Sequence, residues 1–180
     1  MVIISSSHNY TKNQLYTLVK SLNDSGYTDK KIMVVYECDS STKKFLIENG
    51  FDMDLSTEED VTVTFHDPCR LGRQMNIYDQ PRDLISGVEG VSLVEMEHHG
   101  EDALCCGVSS MMSCNENSRA LRVQRFEEVN ATGADIMLTS CPKCVSHFEC
   151  LKFEGDPKHD FEILDVVSFL ARQVQSGKTD

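Results

Sequence analysis

The chain has 180 residues, 40% of them hydrophobic, with eight cysteines and a formal net charge of -12. That length and apolar content bury a core without covalent staples, and eight cysteines are about 4% of the chain, short of the roughly 8–10% of a disulfide scaffold. The acidity repels phosphate backbones, which argues against nucleic-acid binding, and no run approaches the roughly 18 apolar residues of a membrane span.

The first ten residues, MVIISSSHNY, lack the cationic start and long apolar run of a signal peptide. The expectation is a cytoplasmic chain with reduced thiols that reaches a membrane only through a partner. Short Val- and Ile-rich runs then alternate with helix-period segments. This predicts an α/β fold: a Rossmann-like, open and largely parallel sheet flanked by helices. Strands are expected at Val2–Ser5, Lys31–Tyr36, Val61–Phe65, Val91–Glu95 and Asp135–Thr139. Helices are expected near Asn13–Asn23, Ser41–Glu48, Cys69–Tyr78, Asn115–Asn130, Pro142–Leu151 and Leu164–Gln175. In the helix from Asn115, Leu121, Phe126 and Val129 share a face only loosely, and Arg119, Arg122, Gln124, Arg125, Glu127 and Glu128 read as its polar remainder.

FDMDLSTEED at 51–60 reads as an acidic connector, dividing an N-terminal segment, 1–60, from a cysteine-rich part, 61–180. VIISSSHNY at 2–10 lies over IMLTSCPKC at 136–144 without a gap, setting Ser7 on Cys141 and Tyr10 on Cys144. A helix and then a strand-helix pair follow each. The N-terminal segment is therefore expected to be a degenerate half-repeat that completes the sheet.

Beyond the connector the thiols stand as Cys69, then 35 residues, Cys105 and Cys106, then 34 residues, Cys141 and Cys144. Each group follows an expected strand and precedes an expected helix. The carboxyl ends of parallel strands share one edge, so the spacing predicts that the groups converge. In FHDPC, Asp67 can cap a helix and Pro68 fits its first position. In TSCPKC, Pro142 does the same, leaving Cys141 near the cap and Cys144 about one turn inside. Helix N-termini favour thiolate over thiol. Gly107 lets the backbone after the pair bend or approach an inorganic group closely.

Vicinal Cys105 and Cys106 are poorly placed to bridge each other. Four thiolates saturate tetrahedral zinc or a cubane cluster, whereas this array offers five, which points to an iron–sulfur site of unusual shape. Zinc on four of the thiolates and thiol–disulfide exchange through Cys141 and Cys144 stay open.

Other polar residues stand close by in the sequence. Arg70 and Arg73, one turn apart beside Cys69, can face a sulfonate, phosphate or carboxylate, with an ion pair as the plainer use. His66 reads either as a proton donor to a leaving thiolate or as a packed, hydrogen-bonded fixture. His98 and His99 are further proton-donor candidates, at least one of them exposed. Cys114 reads as packing near the site, Cys38 and Cys150 as buried small hydrophobes, and Met111 and Met112 as core or site lining.

The stretches HDPCRLGR at 66–73, IYDQPRDLI at 77–85, VSLVEMEHHGEDALCCG at 91–107, CNENSRALRVQRFEE at 114–128 and TSCPKC at 139–144 carry a resemblance. Together they resemble the cysteine-rich CCG domain of heterodisulfide reductase catalytic subunits and related iron–sulfur oxidoreductases. The resemblance implies a noncubane 4Fe-4S cluster held by Cys69, Cys105, Cys106, Cys141 and Cys144. It also implies reduction of a disulfide such as coenzyme M joined to coenzyme B. Family members commonly hold two such motifs, and Ser7 and Tyr10 stand where an earlier copy needs thiols. The chain has no C-x2-C-x2-C-x3-C-P run of ferredoxin type. A ferredoxin-type or flavin-containing redox subunit is thus the expected electron-donating partner, and a small disulfide or thiol the expected substrate.

Overall fold

The computed structural model describes residues 3–8, 12–26, 31–36, 40–52, 56–108, 115–155 and 159–176. They fall into two compact units, Met1–Leu55 and Ser56–Asp180.

The first unit runs β1 (Ile3–His8), α1 (Lys12–Asp24), β2 (Lys31–Tyr36), α2 (Ser40–Glu48) and β3 (Phe51–Asp52), with its strands parallel in the order β1-β2-β3. Leu15 and Val19 on α1 and Phe45 and Leu46 on α2 form its core. One expectation changes here. Phe51 and Asp52, assigned to a connector, pair with Lys31 and Ile32, and the chain is again a strand from Ser56.

The second unit runs β4 (Ser56–His66), α3 (Asp79–Ser86), β5 (Glu89–Leu93), α4 (Glu116–Thr132), β6 (Ile136–Thr139), α5 (Pro142–Glu154), β7 (Glu162–Asp165) and α6 (Val166–Ser176). Its four strands are all parallel in the order β5-β4-β6-β7, the α/β architecture expected. Val63, Thr64, Phe65 and His66 are consecutively buried, as in a strand covered on both faces. From β4 the chain steps to β5, crosses back to β6 and continues outward to β7. The direction of winding thus reverses between β4 and β6, the position at which open α/β sheets form a crevice beyond their carboxyl ends.

Two helices depart from expectation. The segment from Cys69 to Tyr78 is broken: a wide turn over Arg70–Gln74, closed by Gln74 N–H on the Cys69 carbonyl at 3.2 Å, is followed by α3. Asn76 takes a left-handed φ of 56°, and a Cβ at Gly72 would meet Tyr78 Cε1 at 2.6 Å. A side chain at position 72 would have to displace the Tyr78 ring. On α4, Arg122, Arg125 and Glu128, read as polar surface, are buried with Ser118, Phe126 and Val129. The helix is otherwise as expected, capped by the Asn115 side chain, which accepts from Ser118 N–H at 2.9 Å, and ended by Gly133. Among the described residues, no helix is long and apolar enough to cross a membrane.

Candidate metal centre

His66 ends β4 and pairs in register with Thr139, which ends β6. The turns bearing Cys69 and Cys141 therefore leave the sheet from neighbouring strands. Asp67 does not cap a helix as expected. Its carboxylate accepts two bonds from Arg82, at 2.8 and 2.9 Å, and one from Gly100 N–H at 2.8 Å. Arg82 also binds Glu95 at 2.6 Å and lies over the Phe65 ring. A bidentate pair in partial burial is a strong tie, and it draws the turn before Cys69 against the loop before Cys105. Arg73 adds a second tie by donating to the Ala103 carbonyl at 2.7 Å. As a result Cys69, Cys105, Arg73 and Tyr78 line one recess. Cys69 is exposed there and Cys105 half-buried.

Cys106 and Cys144 are buried in the apolar core beside Phe126, Met137 and Phe148. Cys144 Sγ donates to Cys106 Sγ at 3.3 Å. One donor atom each from His66, Cys106 and Cys144 lie within 4.8 Å of one another. Cys144 is brought inward because Pro142 opens α5, as expected, and Cys144 lies in its first turn. Cys141 is the N-cap residue, but its sulfur makes no capping bond and instead interacts with Cys144. The Cys106 backbone is fixed by its carbonyl, 2.8 Å from His147 Nδ1. Gly107 follows with φ +82°, and a Cβ there would sit 2.5 Å from the Ser118 carbonyl. The bend expected at Gly107 is present, and its bare backbone lies close against the first turn of α4.

The bond from Cys144 lowers the Cys106 thiol well below its ordinary value, against the effect of burial and with help from His66 and Val108 N–H. The same bond, with burial, raises Cys144. The two sulfurs therefore share one proton and lose the first easily. Thiolates on one metal atom, with bonds of about 2.3 Å, stand roughly 3.8 Å apart. Sulfurs already 3.3 Å apart need only a small separation to grip a soft metal in place of the proton. With Cys141 beside Cys144, and Cys105 joined to Cys106 and facing Cys69 across the recess, the donor set fits a thiolate-bound inorganic group.

Behind these sulfurs lies a polar network that the sequence reading missed. Arg125, fully buried, donates from Nε to His66 Nδ1 at 3.1 Å and from Nη1 to the His98 carbonyl at 2.6 Å, and pairs with Glu128. Glu128 also meets His98 Nδ1 at 2.7 Å. Burial, and secondarily Arg125, lower the His66 pKa, while Cys106 acts in the opposite direction. The sequence signal was the helical stripe Ser118, Arg122, Arg125, Phe126 and Val129, which shares one face of α4.

Of the other candidates, Arg70 and His99 are exposed, His99 Nδ1 lying 2.8 Å from the Met96 carbonyl. Half-exposed His98 is bound to Glu128. His66 is buried, edge-on to Phe148 at 4.9 Å. Cys150 is exposed, not buried, because it faces away from the core side of α5. Cys38, Cys114, Met111, Met112, Tyr10 and the Ser7 side chain lie outside the described residues.

Residues 63–149, which include Cys69, Cys105, Cys106, Cys141 and Cys144, match the family described as CCG, cysteine-rich domain. The chain carries a CCG domain. Its sequence is 34% identical over 115 residues to the probable iron–sulfur-binding oxidoreductase FadF of Bacillus subtilis, covering 63% of this chain and 16% of that protein. It is also 34% identical over 115 residues to one of the subunits of the dihydromethanophenazine:CoB–CoM heterodisulfide reductase of Methanosarcina acetivorans, covering 63% of this chain and 28% of that one. The corresponding protein of Methanosarcina mazei is 36% identical over 112 residues, at 61% and 27%. The CCG domain and its flanks thus account for only about a quarter or less of the length of these relatives.

Proposed function

We propose that this chain is an iron–sulfur oxidoreductase subunit of heterodisulfide reductase-like type. Its CCG domain would hold a noncubane 4Fe-4S cluster on Cys69, Cys105, Cys106, Cys141 and Cys144. The observation that carries this reading is the meeting of Cys106 and Cys144 at 3.3 Å, together with the recess that Cys69 and Cys105 line. When bound, such a cluster supplies electrons one at a time and a soft site for a substrate sulfur. The buried side of the site excludes water around Cys106 and Cys144. The open side, with exposed Cys69, Arg70 and Arg73, faces solvent and is where an anionic disulfide or thiol would arrive. His98 and His99 are the proton donors for the departing thiol in this reading.

Reducing a disulfide takes two electrons and two protons and yields two thiols. With a single CCG motif, the chain draws those electrons from a ferredoxin-type or flavin-containing subunit, in a cytoplasmic setting that keeps its thiols reduced. The parallel strand-helix-strand-helix run of β1 to α2 has the same layout as β6 to α6, which supports reading residues 1–60 as a degenerate half-repeat. The test is to reduce the loaded chain without oxygen and add coenzyme M–coenzyme B heterodisulfide. Reoxidation of the chain with release of two thiols per two electrons supports the proposal, and a loaded chain that releases none from this or simpler disulfides refutes it.

A second reading, a structural zinc on four of the thiolates, is favoured by the close approach of Cys106 and Cys144 at 3.3 Å. It predicts a colourless protein with one zinc.

A further inference from the structure

The buried arginine behind the site decides what His66 can do. A histidine that binds metal through Nε2 keeps its proton on Nδ1 and gives it to an acceptor, such as a carboxylate or carbonyl. Here Nδ1 faces Arg125 Nε at 3.1 Å, and a guanidinium only donates. A metal on Nε2 would put the Nδ1 proton against an N–H in a buried site, where neither finds another partner. Arg125 cannot swing away. It is fully buried, its Nη1 is taken by the His98 carbonyl at 2.6 Å, and it is paired with Glu128, itself held by His98. Nδ1 must accept, so the imidazole proton resides on Nε2, and the Cys106 sulfur lies within 4.8 Å of the His66 ring.

We propose that Arg125 locks His66 as an Nε2–H donor to Cys106 Sγ, making the two a positioning pair that raises the reduction potential of the cluster and not a metal ligand. The cluster itself rests on the function proposed above. A hydrogen bond to a ligating sulfur withdraws charge from it and so favours the reduced, more negative state. The line Glu128, Arg125, His66, Cys106 spans α4, the end of β4 and the loop before α4, so one buried side chain on α4 reaches a sulfur through the sheet edge.

The experiment uses the full chain, purified without oxygen. In cluster-bearing protein His66→Phe keeps an aromatic ring against Phe148 but removes the donor. The redox equilibrium should shift about tenfold toward the oxidised form, a potential lower by about 59 mV for one electron. His66→Gln, whose amide can donate from a similar place, should recover most of that shift. In the metal-free chain, side-chain 15N NMR should find His66 protonated on Nε2 and bare on Nδ1. A potential unmoved in His66→Phe, or a proton on Nδ1, overturns the assignment. If His66→Phe does not assemble a cluster, the NMR tautomer and the His66→Gln potential decide. A brown protein failing these tests leaves the proposed function standing, whereas a colourless wild-type chain removes the function and with it the potential-setting role.

Discussion

His66 and Thr139 stand side by side in register at the carboxyl ends of β4 and β6. Every thiol of the candidate centre is placed by that pairing or by a loop tied to it. Cys69 follows His66 by three residues and Cys141 follows Thr139 by two, at the point where the winding of the sheet reverses. The Asp67 carboxylate then brings in the loop that carries Cys105 and Cys106.

If Cys106 and Cys144 are both ligands, replacing either by serine should abolish most of the visible absorption of the anaerobic protein and most of its bound iron. Cys150→Ser is the matched control. That exposed thiol lies on the far side of α5, and its loss should leave the spectrum unchanged.

Gly107→Ala should destabilise the domain by about 2–4 kcal/mol, since it combines a left-handed backbone with overlap on the Ser118 carbonyl. Urea unfolding of the metal-free chain measures this. A change within 0.5 kcal/mol, roughly the scatter of surface substitutions, would contradict the packing described for α4.

Asp67→Asn takes the charged partner from Arg82, leaving it Glu95 and the Tyr78 carbonyl, and weakens the hold on Gly100. The expected cost is about 2–3 kcal/mol, less than for a fully orphaned buried charge. The bound metal should also be lost faster to a chelator, because Cys69 and Cys105 are no longer drawn together.

The thiol pair predicts a pH dependence of known sign. One proton shared between Cys106 and Cys144 means that, below roughly pH 8.5, the folded pair binds fewer protons than the unfolded chain, and above it more. Cys106, lowered, contributes stability that is lost as pH falls; Cys144, raised, contributes stability that is lost as pH rises. The stability of the metal-free wild type relative to Cys144→Ala should therefore peak near pH 8.5 and decline on both sides. A difference that does not vary with pH would contradict proton sharing.

Much of this was legible in the sequence because its signals are local. Val- and Ile-rich alternation marked β2 residue for residue, and Pro142 marked the start of α5 with Cys141 at its cap. The stretches around the thiols announced the domain family. What stayed hidden depends on partners far along the chain. Asp67 looked like a helix cap because its true partners, Arg82 and Gly100, lie 15 and 33 residues away. Arg122 and Arg125 looked like solvent-facing charge, yet they bury by donating to the His147 carbonyl and to His66, across 25 and 59 residues. Charge outweighed position in reading α4, although the stripe they share with Phe126 and Val129 already had the helical period of a core face.

The central claim is that five sulfurs from three separate turns hold one inorganic group. Its most direct test is the iron, acid-labile sulfide and zinc content of the full chain purified without oxygen. The account predicts brown protein with about four irons and four sulfides per chain, the composition of a 4Fe-4S site. A colourless protein holding a single zinc and no sulfide would contradict it.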